Sequence, residues 1–479
     1  MPKRAPRRVL VVLALALGLV VPAGTAHAGG PGVWTKLATV DNGFDTVGML
    51  RTSNGDLHVV YLKKKATNDT HAYGTVTLGL AGGVASTGTA LSGWDSLEPD
   101  PRLVKDGTGL RLLFEGATGS SGCFSTGLVY TETSSNGSSW NLPTASLSSH
   151  SAGIGGLAAT AETNGTTPVA AFAGGHFFHE GVDNCPASNT DGTINQTGGG
   201  TPTNPAMVTD PSNGSVWVAW YQSNSNPGYW VDQILPSQAA PKEAPGSDDS
   251  SPKQSNQPNQ PVALAARAGG GVYEAYCVAT STKACAHVDL WKAGTTTPLV
   301  VPDTGTGNAR HVALAAGPGG RVTVLWYDTG QNRIHAIGTN TAATGFGLDR
   351  VVKPPPNTSE LHSLQAEGTS GRLDVVVDVL LSTTGFPITL WSTQILAGLK
   401  LTASPTSFSH TAAHTVTFTV KDAGQAVSGA HVACIGKSAT TNSNGVASIT
   451  FPKGTATGKH VCTATKANYN PGKVTITVT

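Results

Sequence analysis

The sequence predicts an all-β protein in which a seven-bladed β-propeller precedes a small β-sandwich. Three observations support this fold class. Glycine, serine, threonine, alanine and valine dominate the 479 residues, and charged residues make up only 12%, about half of the usual share. Such a composition favours short strands and tight turns over long helices. The other two observations are a repeat of about fifty residues and a change in composition after residue 398.

Residues 1–28 have the features of a secretory signal peptide. Basic residues precede the apolar run 9–21, and the small residues at 26–28 suit cleavage after Ala28. The run is short for a membrane span, although an uncleaved anchor is the alternative. No second apolar run of spanning length follows. We therefore expect a secreted or cell-surface protein, without a membrane span after signal removal, and we expect a monomer.

The charge balance argues against nucleic acid as a partner. Signal removal takes away four basic and no acidic residues, which leaves 26 basic residues against 29 acidic ones. A protein that binds nucleic acid needs a basic patch to neutralise the phosphates.

One strand pattern recurs seven times within residues 33–398. The copies centre on residues that lie 48 to 58 positions apart, namely Tyr61, Phe114, Phe172, Trp220, Tyr276, Trp326 and Val377. A short apolar strand and a Gly-rich turn precede most copies, a third strand follows, and several copies have a looser fourth strand. Four antiparallel strands repeated at this period are typical of a β-propeller. An array of sandwiches is the alternative.

Two details of the repeat predict how the blades pack and close. In GGRVTVLWYDTG, residues 319–330, both faces of the strand are largely apolar, so we expect neighbouring blades to cover both faces. The seventh copy has no obvious fourth strand, whereas residues 33–41 offer a spare one. We therefore expect the N-terminal strand to complete the last blade, which removes an exposed sheet edge.

Residues 399–479 contain short alternating strands at the spacing of a β-sandwich. This segment resembles the bacterial Ig-like domains of surface and secreted proteins. It lacks the Cys…Trp…Cys pattern of antibody domains, because no Trp follows Cys434. The resemblance implies a module that spaces or presents another domain, and we expect no chemistry in it.

The six cysteines all follow the signal peptide, and export favours disulfides. We predict three pairs. Cys277–Cys285 would lie across one hairpin, Cys434–Cys462 would lie near the C-terminus, and the two remaining cysteines would form Cys123–Cys185. Six unrelated buried thiols are the alternative.

The segment TSSNGSSW, residues 133–140, lies between the third and fourth strands of the second copy. It resembles the Asp-box of sialidase-like propellers, whose pattern is Ser-x-Asp-x-Gly-x-Thr-Trp. Gly137, Ser139 and Trp140 fit this pattern, and Ser135 stands in place of the aspartate. The resemblance implies a turn held by its own hydrogen bonds, with the Trp between blades, on the face opposite the family's active site.

The same resemblance provides a test for sialidase activity, which needs an Arg triad, a Tyr–Glu pair and an Asp acid/base. Only Arg102 and Arg310 lie near the starts of the first strands, and the FRIP-like start of sialidases is absent. The sequence therefore argues against sialic acid hydrolysis.

The starts of the first strands are expected to surround the channel mouth, where concave sites gather polar groups from several elements. These positions hold Thr46, Asp100, Gly153, Asn204, Gln260, His311 and His362. We predict His311, His362 and Asp100 as candidate catalytic residues, because their side chains serve as acid or base. Asn204 and Arg310 are candidate ligand-binding residues. The alternative is that these residues only cap backbone groups at the rim.

The segment GGHFFHEGVDNC, residues 174–185, is predicted as a loop of the third copy on the same face. His176 and His179 have a loose metal-ligand spacing, and Phe177 suits stacking on a sugar ring. We predict ligand contacts from these three residues, but neither a metal nor a cofactor. A loop whose aromatic residues pack on the rim is the alternative.

Together these features predict a secreted binding module for a glycan or a cell-surface partner, without sialidase activity. The alternative is a carbohydrate-active enzyme, either a glycoside hydrolase or a polysaccharide lyase. A lyase would draw its base from His311, His362 or His176 and use Arg310 as charge neutraliser. A purely structural envelope protein is a third hypothesis.

Overall fold

A computed structural model describes most of the chain after the predicted signal peptide. The described ranges are 31–40, 46–64, 70–117, 128–141, 156–172, 176–179, 192–193, 201–223, 227–247, 261–280, 285–305, 307–369 and 371–479. Within them the only helical element is the 3₁₀ turn Pro318–Gly320, so the all-β prediction is confirmed for these ranges. No helix of this part of the chain is long and apolar enough to cross a membrane.

Strand β1 (Thr35–Thr39) belongs to the last of seven successive antiparallel sheets that the described residues form before residue 399. The first sheet contains β2 (Gly48–Arg51), β3 (Leu57–Leu62), β4 (His71–Leu78) and β5 (Val84–Trp94). The second contains β6 (Ser96–Leu97), β7 (Arg102–Asp106), β8 (Gly109–Ala117) and β9 (Leu128–Ser134). Its first strand is divided, because β6 and β7 both pair with β8. The third contains β10 (Leu157–Ala161), β11 (Pro168–Phe172), β12 (His176–His179) and β13 (Gly192–Thr193).

The remaining four sheets have four strands each. The fourth contains β14 (Thr201–Thr209), β15 (Val216–Ser223), β16 (Gly228–Leu235) and β17 (Lys242–Glu243). The fifth contains β18 (Ala263–Ala266), β19 (Val272–Val278), β20 (His287–Lys292) and β21 (Leu299–Val300). The sixth contains β22 (Ala309–Ala316), β23 (Val322–Asp328), β24 (Arg333–Gly338) and β25 (Arg350–Val352). The seventh contains β26 (Thr358–Thr369), β27 (Arg372–Leu381), β28 (Ile388–Gly398) and β1.

The first strands of these sheets stand around one axis. Strands β2, β7, β10, β14, β18, β22 and β26 contact one another in this order, and β26 contacts β2 again. All of them line one central channel of about 710 Å³. This radial arrangement is that of a β-propeller.

The N-terminal strand joins the last sheet, as predicted, because β1 pairs antiparallel with β28. The indole of Trp34 donates a 2.7 Å hydrogen bond to the carbonyl of Lys353. Arg51 of β2 and Asp374 of β27 form an ion pair between the first and the seventh sheets. These contacts join the two ends of the ring and cover what would otherwise be a sheet edge.

Strand β23 shows why the repeated strand is apolar on both faces. Val322, Val324 and Trp326 pack into a core shared with the fifth sheet. Leu325 and Tyr327 point to the other face and pack into a core shared with the seventh sheet. Neighbouring sheets therefore cover both faces, as the sequence predicted.

Residues 400–478 form ten further strands. They are β29 (Lys400–Ser404), β30 (Ser407–Phe408), β31 (His414–Asp422), β32 (Gln425–Ala426), β33 (His431–Cys434), β34 (Lys437–Thr440), β35 (Val446–Phe451), β36 (Gly458–Thr465), β37 (Tyr469–Asn470) and β38 (Gly472–Val478). Strands β29, β31, β32 and β35 form one sheet, and β30, β33, β34, β36 and β38 form the other. One apolar core lies between them, which makes this segment a β-sandwich. Strand β37 pairs with β28 and so connects the sandwich to the seventh sheet.

Two of the three predicted disulfides lie in the described ranges, and both are confirmed. Cys277 bonds to Cys285, and Cys434 bonds to Cys462. The second bond connects β33 to β36 within one sheet of the sandwich. Cys123 and Cys185 lie outside the described residues.

Candidate functional site

Three of the residues predicted to surround the channel mouth lie at irregularities in strand pairing. Each irregularity is near the beginning of the first strand of its sheet. The pairing register shifts around Asn204 in β14, around His311 in β22 and around His362 in β26. Each of these residues therefore lies in a β-bulge. Because a bulge bends the strand and re-aims a side chain, bulges are frequent next to functional sites. Gly153 and Gln260, also predicted for this ring, lie outside the described residues.

Two of the three bulges also have left-handed backbone. The φ angle is 54° at Asn204 and 50° at His311. Asparagine tolerates this conformation comparatively well, whereas for other side chains it costs about 1–3 kcal/mol. Such conformations persist where the surrounding structure holds them, and they cluster at ligand sites. The same unusual backbone in two separate sheets marks the bulges as candidate functional positions.

His311 is buried beside His362 of the neighbouring sheet. Its side chain hydrogen-bonds the backbone of Leu361. Burial, and then the charge of nearby His362, lower the pKa of His311 to about 3, although the bond to Leu361 opposes this shift. His311 is therefore neutral at pH 7, and its imidazole offers one donor and one acceptor.

His362 lies between two carboxylates. Its Nε2 is 3.7 Å from Oε2 of Glu360, and its Nδ1 is 4.0 Å from Oδ2 of Asp378. The Glu360 side chain is exposed, whereas Asp378 is fully buried. Burial lowers the pKa of His362, and Glu360 opposes this shift. An imidazole with carboxylates on both sides is able to hold and transfer a proton.

Asn204 and Arg310 are half-buried at the same end of the channel. The carbonyl of Asn204 accepts a 2.9 Å hydrogen bond from the amide of Val262 in the fifth sheet. Nη1 of Arg310 donates to the carbonyl of Ala309, and its charge helps to keep His311 neutral. The backbone of Asn204 thus joins two sheets, which is a structural task in addition to any contact with a ligand.

Asp100 lies in a buried clamp between sheets. Its Oδ2 accepts a 3.1 Å bond from the amide of Leu157, and Arg102 donates to Oγ1 of Thr46 and to the carbonyl of Leu157. Burial raises the pKa of Asp100 to about 7, and Arg102 opposes this shift. Asp100 and Thr46 are both fully buried. The clamp joins the first, second and third sheets, and a catalytic role for Asp100 stays a prediction.

The segment around His176 differs from the predicted loop. Residues 176–179 form β12, which pairs continuously with β11 from Val169–His179 to Phe172–His176. This ladder satisfies backbone groups that a loop would leave to solvent, and aromatic residues favour strands. The ligand contacts predicted for His176, Phe177 and His179 stay predictions. Among the described residues, no group of three His, Cys, Asp or Glu side chains is placed to hold a metal.

The segment 133–140 forms a turn that its own side chains hold. Oγ of Ser134 accepts a 2.8 Å hydrogen bond from the amide of Gly137. Oδ1 of Asn136 accepts hydrogen bonds from the amides of Ser138 and Ser139. Trp140 packs against the core between the first and second sheets. Ser135, which stands where the aspartate was expected, is exposed. Its neighbours Ser134 and Asn136 supply the acceptors instead.

The two carboxylates beside His362 were not predicted from the sequence. Asp378 interrupts the apolar run RLDVVVDV, residues 372–379, and a charge inside a strand buried on both faces was the available signal. Glu360 precedes His362 by two residues, and nothing in the local pattern distinguished it from an ordinary surface glutamate.

No protein-family model and no curated protein match the sequence. Several solved structures share part of its architecture at low identity. An α-L-arabinofuranosidase of Fusarium graminearum is 10% identical with a TM-score of 0.44, over 77% of this chain and 98% of its own. The six-bladed fucose-binding lectin of Aleuria aurantia is 10% identical with a TM-score of 0.37, over 74% and 93%. A Trypanosoma rangeli sialidase is 12% identical with a TM-score of 0.40, over 76% and 59%.

Proposed function

We propose that the protein is a secreted seven-bladed propeller that binds an uncharged glycan at its channel mouth, without sialidase activity. The observation that carries this proposal is the recurrence of a bulge at Asn204, His311 and His362, with left-handed backbone at the first two. An arrangement that is costly and repeated in separate sheets is best explained by a ligand that these side chains face.

The chemistry of the ring suits hydroxyl groups better than charges. An amide and a neutral imidazole each offer both a donor and an acceptor, as a sugar hydroxyl does. Burial keeps His311 neutral at pH 7. Of the two arginines predicted near the channel mouth, Arg102 is bonded to Thr46 and Leu157 in the buried clamp. Arg310 would then be the arginine beside the bulges, whereas a sialidase uses three for the carboxylate of its substrate.

The rest of the architecture fits this proposal. The seven sheets are its blades, and the turn at residues 133–140 relates it to sialidase-like propellers, with Ser134 and Asn136 in the role of the Asp-box aspartate. The C-terminal sandwich is a bacterial Ig-like module that presents the propeller at the cell exterior. A glycan on a cell surface is then the partner.

A glycan array and a polysaccharide pull-down with the chain after residue 28 test the proposal. We expect at least one neutral glycan to bind. Asn204→Gly and His311→Asn should each weaken this binding about tenfold or more, since each removes hydrogen bonds with the ligand. Both substitutions introduce a residue that tolerates left-handed backbone, so the bulges should be preserved.

His431→Ala is the control, because His431 is exposed on the sandwich and should leave binding unchanged. The absence of any glycan ligand on the array would refute the proposal. Full binding by both bulge variants would refute the assigned site.

The position of His362 favours a second candidate function, a polysaccharide lyase or glycoside hydrolase with His362 as base. Glu360 and Asp378 within 4.0 Å of its ring support proton transfer. If so, His362→Gln should lower kcat about 100-fold or more, measured as release of reducing ends or of unsaturated products. Because the pKa of His362 is lowered, activity should rise with pH through a value below 6.5 and stay high above it.

The pH profile distinguishes a catalytic His362 from a structural one. A structural role would change the amount of folded protein without moving the acidic limb of the profile. An unchanged kcat in His362→Gln, with His431→Ala as control, would exclude this base.

A further inference from the structure

A second cavity lies where the sandwich meets the sixth and seventh sheets. Its volume is about 300 Å³, and both domains contribute to its walls. It opens beside Gly317, at the end of β22 opposite to His311. Gly317 follows His311 by six positions of extended chain, and these six positions span about 20 Å. The cavity is therefore separate from the bulges at the channel mouth.

Glycines form much of the wall of this cavity and leave room for charged side chains. A Cβ on Gly398 would lie 2.7 Å from Nη1 of Arg350. A Cβ on Gly347 would lie 3.0 Å from Oδ1 of Asp422. The side chain of Arg350 therefore packs closely against the backbone of Gly398, and a larger residue at position 398 would displace it.

Three arginines but a single carboxylate line the cavity, namely Arg321, Arg350, Arg372 and Asp422. Arg321 is paired with the sandwich, since it donates to Oδ2 of Asp422 at 2.7 Å and to Oε1 of Gln425 at 2.9 Å. Neither Arg350 nor Arg372 takes part in this pairing.

The guanidinium of Arg372 is nine-tenths buried and incompletely bonded. Its Nη2 is 3.5 Å from Oδ2 of Asp374, and neither Nη2 nor Nε has a hydrogen-bond partner among the described residues. Asp374 already accepts from Arg51 and from Gln394. Arg350 has no side-chain hydrogen bond and no ion pair within 4.0 Å in the described part of the chain, and the one charge that acts on it there is that of Asp349. Buried donors that stay unsatisfied are costly.

We infer that this cavity binds a small oxyanion, such as the carboxylate of a sugar acid, between Arg350 and Arg372. Guanidinium groups bind carboxylate and sulfate through paired, charge-assisted hydrogen bonds. A ligand there would satisfy the open donors of Arg372 and balance the excess positive charge of the wall. Leu373 and Ile395 supply apolar surface beside these donors, which suits an anion carried on a small ring. The site is independent of glycan binding at the channel mouth.

Isothermal titration of the chain after residue 28 with D-glucuronate, sulfate and D-glucose tests this inference. Glucuronate or sulfate should bind saturably at concentrations up to about 10 mM, whereas glucose, which lacks the anion, should not bind in this cavity. Arg350→Gln should weaken anion binding at least about tenfold. Arg350→Lys keeps the charge but loses the paired donors. It should therefore bind the anions less tightly than the wild type and more tightly than Arg350→Gln.

Arg333→Gln is the matched control, because Arg333 lies at the other end of β24 in the same sheet. Among the described residues, its side-chain donors bond only the carbonyl of Asn332. Thermal unfolding of each variant shows that it is folded. The inference is overturned if neither anion binds the wild-type chain, or if Arg350→Gln binds the anions as tightly as Arg333→Gln. It is also overturned if glucose competes with glucuronate equally well, because the anion would then contribute nothing.

Discussion

Trp326→Ala is expected to lower the free energy of unfolding of the propeller by about 4 kcal/mol. Trp326 is fully buried in the core between the fifth and sixth sheets. Its ring also stacks on that of His335, with 4.8 Å between the ring centroids. Truncation removes this burial and leaves a cavity that closely packed sheets fill only in part. Urea unfolding followed by circular dichroism measures the loss.

Val351→Ala is the control for this prediction. Val351 lies on β25 of the same sheet but is 47% exposed, so its truncation should change the free energy of unfolding by less than about 1 kcal/mol. If Trp326→Ala cost no more than Val351→Ala, Trp326 would not be packed between two sheets, and the closed radial arrangement would be wrong at this position.

Stability is expected to fall as the pH rises, because two glutamic acids are buried between the sheets without a hydrogen-bond partner in the described part of the chain. Glu132 shares a strand face with Tyr130, which packs between the first and second sheets. Glu274 likewise shares a face with Tyr276, between the fourth and fifth sheets. None of the four carboxyl oxygens has a hydrogen-bond partner among the described residues. Burial raises the pKa of Glu132 to about 8 and that of Glu274 well above its usual value.

The direction of this effect follows from the two ionisation states. In the unfolded chain these groups ionise near pH 4.5, whereas in the folded protein they stay protonated to much higher pH. Their contribution to stability is therefore complete below about pH 4.5 and is lost as the pH rises through the folded pKa. Each unit by which the folded pKa exceeds the unfolded pKa contributes about 1.4 kcal/mol to the free energy of unfolding at low pH.

Glu132→Gln is expected to remove its share of this dependence. Between pH 5 and pH 9, the free energy of unfolding of the wild type should fall by about 2–4 kcal/mol more than that of the variant. Urea unfolding at several pH values measures the difference. Asp303→Asn is the control, because Asp303 is exposed and has a left-handed backbone that asparagine tolerates. Parallel pH profiles for wild type and Glu132→Gln would contradict the buried, protonated state of Glu132.

The repeat predicted most of the fold because its signals are local. A strand that is apolar on both faces needs cover on both sides, and β23 obtains it from the sheets before and after it. The missing fourth strand of the last copy and the spare strand at the N-terminus likewise predicted the pairing of β1 with β28. Two cysteine pairs followed from spacing and compartment. The segment 176–179 was misassigned as a loop. Its partner β11 was predicted from the repeat, but the pairing of the two strands forms only in the folded sheet.

The candidate site was predicted only as a set of positions. The alignment of the seven copies identified Asn204, His311 and His362, yet nothing in the sequence indicated that each lies in a bulge or that two have left-handed backbone. It also grouped Asp100 with them, whereas the structure places Asp100 in a buried clamp with Leu157. A shift of pairing by one residue reverses the faces of a strand, so the direction of each side chain depends on the partner strand.

By itself, the sequence determined the all-β class, the repeat of strands and the sandwich spacing of the C-terminal segment. Composition and the two-residue periodicity of strands are properties of short segments, so they can be recognised without a structure. Only the tertiary structure decided which groups meet. His311 and His362 approach each other across two sheets, and Arg350 and Arg372 line one cavity with Asp422 of the sandwich. Residues far apart in the chain come together through the packing of sheets and the closure of the ring, and no local pattern encodes those contacts.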